Sequence, residues 1–407
     1  MNLRVPLGAA IAFALVVAAL TFSITLQYAR SDYNERAIFL REREAANGKF
    51  AEVDREVRQR FFGTINETHL MDSVVRGYLI GLGDPNAVYW SAEENARRNQ
   101  TIVGEAVGIG AALEIHPNGY FLVREVFPES PAQAGGIEAG DWIVNMDDTA
   151  LTPENVEAQY LLIYDAVGTR VTLTVRREGE DFIVDITRRE VERPTVYASV
   201  IADTEVGHII ITEFDDRTSI QFNRELSRIQ DLGVQAIIFD VRDNPGGNLR
   251  QAARVIDRLI PAGPIVSAVF RDGSVQVLET ADTNRIENMS IVVLTNRNTA
   301  AAAELFALAM RDSAAGRIVG TSTAGEGAML DDINLSDGSA ISITVALYRS
   351  PSGETWNETG VSTDFEVAMP GELESVWREL DHTTDPQLAK AVEVALGIQV
   401  VEISDDE

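Results

Sequence analysis

Apolar and polar residues follow three patterns along this chain of 407 residues. The first is a continuous apolar run from Val5 to Leu26, broken only by Pro6, Gly8 and three hydroxyl residues. At about 1.5 Å of helix per residue such a run crosses a bilayer. Arg4 and the free amine precede it, which favours an inside N-terminus and places the rest of the chain outside the cytoplasm. A signal peptide is the competing reading; its apolar core is normally shorter, and no clean small-x-small cleavage site closes this run, so an uncleaved anchor is favoured. Helical patterns follow. Ser31 to Phe62 reads as helix with a break at Asn47-Gly48, and Leu70 to Leu82 as a second helix stopped by Gly83-Asp84-Pro85.

The second pattern, from Ile102 to Arg189, is a series of short alternating runs with turn signals between them. Tyr120 to Phe127, Trp142 to Met146 and Arg170 to Arg176 are the predicted strands. In the third pattern, from His208 to Val367, strands alternate with amphipathic helices, which predicts an α/β layer. The strands expected there are His208–Ile211, Ala236–Val241, Ile291–Leu294, Ile318–Val319 and Ala340–Leu347. The helices are Ser219–Leu232, Leu249–Leu259 and Ala300–Arg311, and Asp385–Leu396 closes the chain before an acidic tail at Asp405-Asp406-Glu407. The resulting division is 1–30 membrane anchor, 31–100 helical region, 101–192 β-rich domain, 193–370 α/β core, and 371–407 closing helix and tail. The fold class is α/β, or α+β taken over the whole chain.

Composition changes this picture in two places. The formal net charge of −29 argues against a nucleic-acid surface, which needs clustered Lys and Arg. Lys49 and Lys390 are the only lysines; the other basic residues are arginines, which stay protonated and cannot act as a general base. The absence of cysteine removes thiol catalysis, disulfides and thiolate metal sites. No His/Asp/Glu cluster has metal-ligand spacing, so neither metal nor cofactor is implied.

Three segments carry candidate chemistry. Gly108-Ile109-Gly110-Ala111 precedes a strand, and a glycine-rich turn there can aim several amides at a peptide carboxylate while the strand edge accepts the peptide. Alone, this segment reads equally as an ordinary turn; Ser130-Pro131-Ala132 followed by Gly135 to Asp141, and Val167 to Leu173, strengthen it. Asp240-Val241-Arg242-Asp243-Asn244-Pro245-Gly246-Gly247 ends a strand in two glycines ahead of a helix, so its amides can hold an oxyanion or merely start the helix. Thr299-Ala300-Ala301-Ala302-Ala303-Glu304 is a small-residue helix start, suited either to an anion at the helix N-terminus or to close helix packing.

Together these blocks closely resemble the C-terminal processing (tail-specific) serine peptidases, whose PDZ domain the 101–192 region is similar to. Further motifs agree in order: Gly77-Tyr78 through Glu94, Leu335 to Ala340, Tyr348 to Gly353, Thr359 to Asp364 and Asp385-Pro386-Gln387-Leu388. The likeness covers roughly residues 60–398. It implies a PDZ domain beside a crotonase-like α/β core, with a serine nucleophile and a desolvated lysine base. Carried over, the nucleophile position is Ala301, the base position in the Ala324-Gly325-Glu326-Gly327 turn is Glu326, and the position of a lysine-orienting glutamine is Leu330. All three lack the chemistry. Lys49 and Lys390 lie outside the core and cannot substitute. Oxyanion-type amides are expected at Gly246, Gly247 and Ala302, and peptide binding at Gly108, Ile109, Gly110 and Ala111. Of the histidines, His208 falls where the family has an aromatic and is read as structural; His69, His116 and His382 lie off the core motifs. Thr299 is expected to face away. A carboxylate at Glu326 repels a developing oxyanion, and one acid alone is a poor amide hydrolase.

The apolar run, the acidic charge and the resemblance together imply a membrane-anchored, extracytoplasmic protein that binds peptides or protein C-termini without cutting them, with residues 5–26 in the membrane and no nucleic-acid partner. An active serine-type endopeptidase using other residues and a purely structural envelope protein remain the competing readings.

Overall fold

The computed structural model describes residues 44–96, 98, 107–282, 285, 286 and 289–397, together with 21, 22 and 25. The expected membrane span at 5–26 lies outside these residues apart from the last three. Among the described residues no helix is long and apolar enough to cross a membrane. The chain divides into two compact units, Met1–Ser73 and Val74–Glu407.

In the first unit a helix runs over 44–60. It passes straight through Asn47-Gly48, correcting the break expected there. One glycine costs a helix only about 1 kcal/mol relative to alanine, and the helix continues beyond it to residue 60. Its Arg58 is bound by Asp54 one turn earlier and by Glu67. Helix α1 (Glu67–Ile80) covers most of the second predicted helix and starts three residues earlier. A short strand, β1 (Val88–Trp90), follows.

The β-rich domain is an antiparallel sheet in the order β3-β4-β5-β7-β8, with β6 paired to β5 and a separate β2–β9 ladder. Its strands are β2 (Val107–Gly108), β3 (Ala111–Ile115), β4 (Phe121–Val126), β5 (Trp142–Met146), β6 (Thr149–Ala150), β7 (Arg170–Arg177), β8 (Glu180–Thr187) and β9 (Arg189–Glu190). Helix α2 (Pro131–Ala134) is capped by the Ser130 hydroxyl accepting from the Gln133 amide, with proline at its first position. Helix α3 (Val156–Ile163) is the second helix of the domain. Inward residues of the strands, among them Phe121, Ile143, Leu173 and Val175, close one core with Val156 and Ile163 of α3. Strand β3 is a terminal strand of its sheet, so one of its edges carries no partner strand among the described residues.

The α/β core is built on a six-stranded sheet in the order β10-β11-β12-β15-β16-β19. Its strands are β10 (Val196–Val200), β11 (Val206–Ile211), β12 (Ala236–Asp240), β15 (Ser290–Thr295), β16 (Gly316–Gly320) and β19 (Phe365–Glu366). Only β10 is antiparallel. Every residue of β12 is buried, as expected of a parallel strand covered on both faces. Helices α4 (Thr218–Asp231), α5 (Leu249–Asp257) and α6 (Ala302–Asp312) cover one face, where Phe214, Phe222, Phe239 and Phe306 meet. Helix α7 (Pro386–Ala395) covers the other, packing Leu388, Ala391 and Val392 on Ile238, Val292 and Val319. Helix α6 is buried from Ala302 to Met310, and its alanines permit the close approach.

A second, antiparallel sheet was not foreseen in full. It runs β1-β18-β13-β14 with β17 on the other side of β18, using β13 (Gly263–Phe270), β14 (Val275–Ala281), β17 (Ala328–Asn334) and β18 (Ala340–Arg349).

Candidate functional site

The site begins where β12 ends. Asn244 is fully buried; its side-chain amide donates to the Ile211 carbonyl at 2.8 Å, and its Oδ1 accepts the Gly246 amide at 2.8 Å. The Ala300 amide donates to the Asn244 carbonyl at 2.9 Å, so the glycine turn and the start of α6 interlock. Both glycines are required by geometry. Gly246 has φ of 98° and Gly247 φ of 111°. A Cβ on Gly246 would stand 2.7 Å from Ala301 Cβ, and one on Gly247 would stand 2.4 Å from the Phe214 carbonyl oxygen. Gly247→Ala is therefore expected to lose at least about 1–3 kcal/mol of stability through strain, seen as a lowered urea midpoint.

Ala301 is the N-cap of α6, with φ of 48° and ψ of −112°. An alanine does not choose that backbone, and it persists because neighbouring groups hold it. The holder is Glu304, one turn into the helix and fully buried. Its Oε2 accepts the Ala301 amide at 2.9 Å and the Glu326 amide at 2.7 Å. Its Oε1 accepts the Gly325 amide at 2.7 Å and the Thr323 hydroxyl. Burial pushes this carboxyl up from its ordinary value, against the pull of these four donors. The Ala324 amide adds a bond to the Thr299 carbonyl at 3.0 Å. One carboxylate oxygen thus ties together the backbones of Ala301 and Glu326, 25 residues apart in sequence.

The structure does not bring Leu330 into that arrangement. It sits on β17 at a register shift, 46% exposed. The Glu326 side chain is exposed and makes no hydrogen bond or ion pair among the described residues. Of the three amides expected to face an oxyanion, that of Gly246 is already committed to Asn244, which corrects its assignment; those of Gly247 and Ala302 have no acceptor among the described residues. Thr299 is turned away, its hydroxyl donating to the Val241 carbonyl at 2.8 Å.

In the β-rich domain, Gly110 has φ of 78° and is hemmed by Ser130 and Val191. The Ile109 and Gly110 carbonyls accept the Ala132 and Phe127 amides. The Ile109 and Gly110 amides have no protein acceptor among the described residues, and the turn runs into Ala111 at the start of the edge strand β3. The Tyr164 ring lies over Gly108.

His208 Nε2 lies 3.2 Å from Asp240 Oδ2, inside a buried charge cluster. Arg242, 1% exposed, bonds Asp240 at 2.6 Å and Asp385 at 2.7 Å, donates to Gln387 Oε1 at 3.0 Å, and stacks on Trp377 at 4.1 Å. This cluster fastens α7 to the sheet. His116 packs edge-on against Trp142. Among the described residues no group of three or more His, Asp or Glu side chains is placed to hold a metal ion.

Sequence reasoning missed Glu304 as the organiser. Its signal was present, since an N-cap residue followed by Glu three positions later is half of a capping box. Here only that half can form, because Ala301 has no side-chain acceptor.

A peptide-edge domain joined to an α/β core with amides gathered at a strained helix start defines a protein of the PDZ-bearing peptidase class. Residues 205–367 match peptidase family S41, and residues 107–187 match the PDZ domain. The carboxy-terminal processing protease CtpA of Bacillus subtilis (strain 168) is 28% identical over 399 residues, spanning 95% of this chain and 84% of its own. The chloroplastic C-terminal processing peptidase of Tetradesmus obliquus is 28% identical over 388 residues, spanning 87% and 82%. Among solved structures, a photosystem II D1 C-terminal processing protease is 26% identical, covers 80% of this chain and 89% of its own, and has a TM-score of 0.49. Residues 205–367 thus belong to peptidase family S41, and over nearly its whole length the chain is similar to C-terminal processing peptidases.

Proposed function

We propose that this chain is a non-cleaving member of its family, a pseudopeptidase that binds extended peptides or protein C-termini at the outer face of a membrane in which residues 5–26 anchor it. The observation that carries the reading is the pair of residues joined through Glu304: an alanine with the backbone of a nucleophile turn, and beside it a glutamate where the family's base stands. A methyl group has no lone pair to attack a carbonyl, and a carboxylate at Glu326 opposes the negative charge that amide hydrolysis builds on oxygen. The turn at Gly108 to Ala111 and the unpaired edge of β3 support capture of a peptide terminus. Such a protein serves as an adaptor, a decoy, or a regulator of an active relative.

The test is cleavage of an unfolded reporter protein by the full chain in detergent, beside its Ala301→Ser, Glu326→Lys double variant. The natural chain is expected to be silent, and binding of the reporter without turnover supports the proposal. Turnover by the natural chain would overturn it. Activity gained by the double variant would place the lost function at these two side chains.

A further inference from the structure

A cavity of about 330 Å³ opens outside the carboxyl ends of the parallel strands, where open α/β sheets commonly take ligands. None of Gly246, Gly247, Ala301 and Glu326 lines it. Its walls come from the same two loops that carry the Ala301 and Glu326 positions. Asn296 and Asn298 follow β15, Thr321 and Ser322 follow β16, and Glu366 of β19 closes one side.

Asp243 lines the cavity and already accepts three bonds: Asn296 Nδ2 and Asn298 Nδ2 each donate to its Oδ1 at 2.8 Å, and Trp377 Nε1 donates to its Oδ2 at 2.6 Å. Arg242 is held by Asp240 and Asp385, and Arg297 by Glu374 at 2.5 Å. What lacks a partner among the described residues is the Glu366 carboxylate, the side-chain oxygen of Asn298, and the hydroxyls of Thr321 and Ser322. The Glu366 carboxylate thus has no cation bound to it among the described residues, the Asn298 oxygen is open in the same cavity, and the two hydroxyls can accept as well as donate. The volume is at the lower end of that of small-molecule sites. A hydrophilic cation with several N–H groups in a plane satisfies such a wall, and a guanidinium can bond a carboxylate through two parallel N–H groups.

We propose that this cavity is a binding site for a guanidinium group, distinct from the peptide-binding turn at Gly108 to Ala111 and formed on the same loops that carry Ala301 and Glu326. Occupancy bridges the loop after β15 to the loop after β16, and so bears on the two turns that Glu304 holds together.

The probe is butylguanidinium, with butylurea as its neutral counterpart of the same shape, titrated calorimetrically into the full chain in detergent. Butylguanidinium is expected to bind at least tenfold more tightly than butylurea. Glu366→Gln is expected to remove most of that difference, and Ser322→Trp, which fills the cavity, to abolish binding. Glu366 is exposed on an edge strand, so an unchanged thermal midpoint of Glu366→Gln shows that the protein remains folded. A blocked Ala-Arg-Ala tripeptide separates the two sources of the group. Competition with butylguanidinium at higher affinity marks a peptide side chain, and failure to compete marks a free small guanidine. Equal affinities for the two probes, no saturable heat with butylguanidinium, or undiminished binding by Ser322→Trp would overturn the proposal.

Discussion

Arg242→Met is expected to destabilise the protein by about 3–5 kcal/mol at neutral pH, because it leaves two buried carboxylates without their cation. Asp240 and Asp385 are both essentially inaccessible, and Arg242 bonds each of them while stacking on Trp377. Methionine fills much of the volume but offers no donor. The sign of the pH dependence separates this mechanism from a packing defect. Burial by itself would raise the Asp240 carboxyl, but Arg242 and His208 outweigh it and hold it well below the usual carboxylate range. In the natural protein that contribution is complete above the ordinary carboxylate range and is lost as pH falls toward the lower folded value. In the variant the cation is gone and burial governs, so Asp240 should protonate more readily in the folded state than in the unfolded chain. Urea midpoints at pH 7 and at about pH 4.5 should therefore converge between the two proteins. A loss that is equal at both pH values would point to packing alone.

Glu304→Leu carries the second large effect, also about 3–5 kcal/mol, since a buried donor left without an acceptor costs about 1–3 kcal/mol and four are stranded together. The donors are the Ala301, Gly325 and Glu326 amides and the Thr323 hydroxyl. Glutamine should recover only part of the loss, because its amide keeps one accepting oxygen and turns an N–H group toward two of the donors. Beyond the change in unfolding free energy, the turn at 323–326 should become accessible to limited proteolysis under native conditions. A Glu304→Leu protein as stable and as resistant as the natural one would show that the two turns hold each other without the carboxylate.

How much of this was legible in the sequence depends on how each element is buried. Strand β12 and helices α4, α5 and α6 were placed to within two residues, because α4 and α5 each turn one apolar face to the core, while β12 and α6 are buried almost throughout and stand out as apolar runs between turn signals. The antiparallel sheet was read only at β18. Strand β14 exposes Val275 and Val277, and β17 reads Ala-Met-Leu-Asp-Asp-Ile-Asn, with neighbouring acids instead of alternation. Such strands exist because β13 and β18 are already there to pair with, which no local pattern reveals. The break expected at Asn47-Gly48 overrated one glycine. At the site, the turn residues Gly246 and Gly247 were legible because backbone of positive φ favours glycine, whereas Ala301 was located only through the resemblance and its positive φ had no local signal. The Gly246 amide was misassigned because its acceptor, Asn244 Oδ1, is two residues away and its orientation is set by Ile211 on another strand. The joining of Ala301 to Glu326 through one oxygen is a tertiary fact, and spacing only hinted at it.

The pairing of Arg242 with a partner 143 residues later also orders events during synthesis. A nascent chain that has emerged only through β12 and α5 holds the arginine and Asp240, but not the carboxylate of Asp385 or the helix that seals the sheet. Until the last elements leave the ribosome, that face of the sheet stays open, with apolar strands β12, β15 and β16 uncovered. A chain that stops short of α7 would be exposed at the very layer a finished one hides.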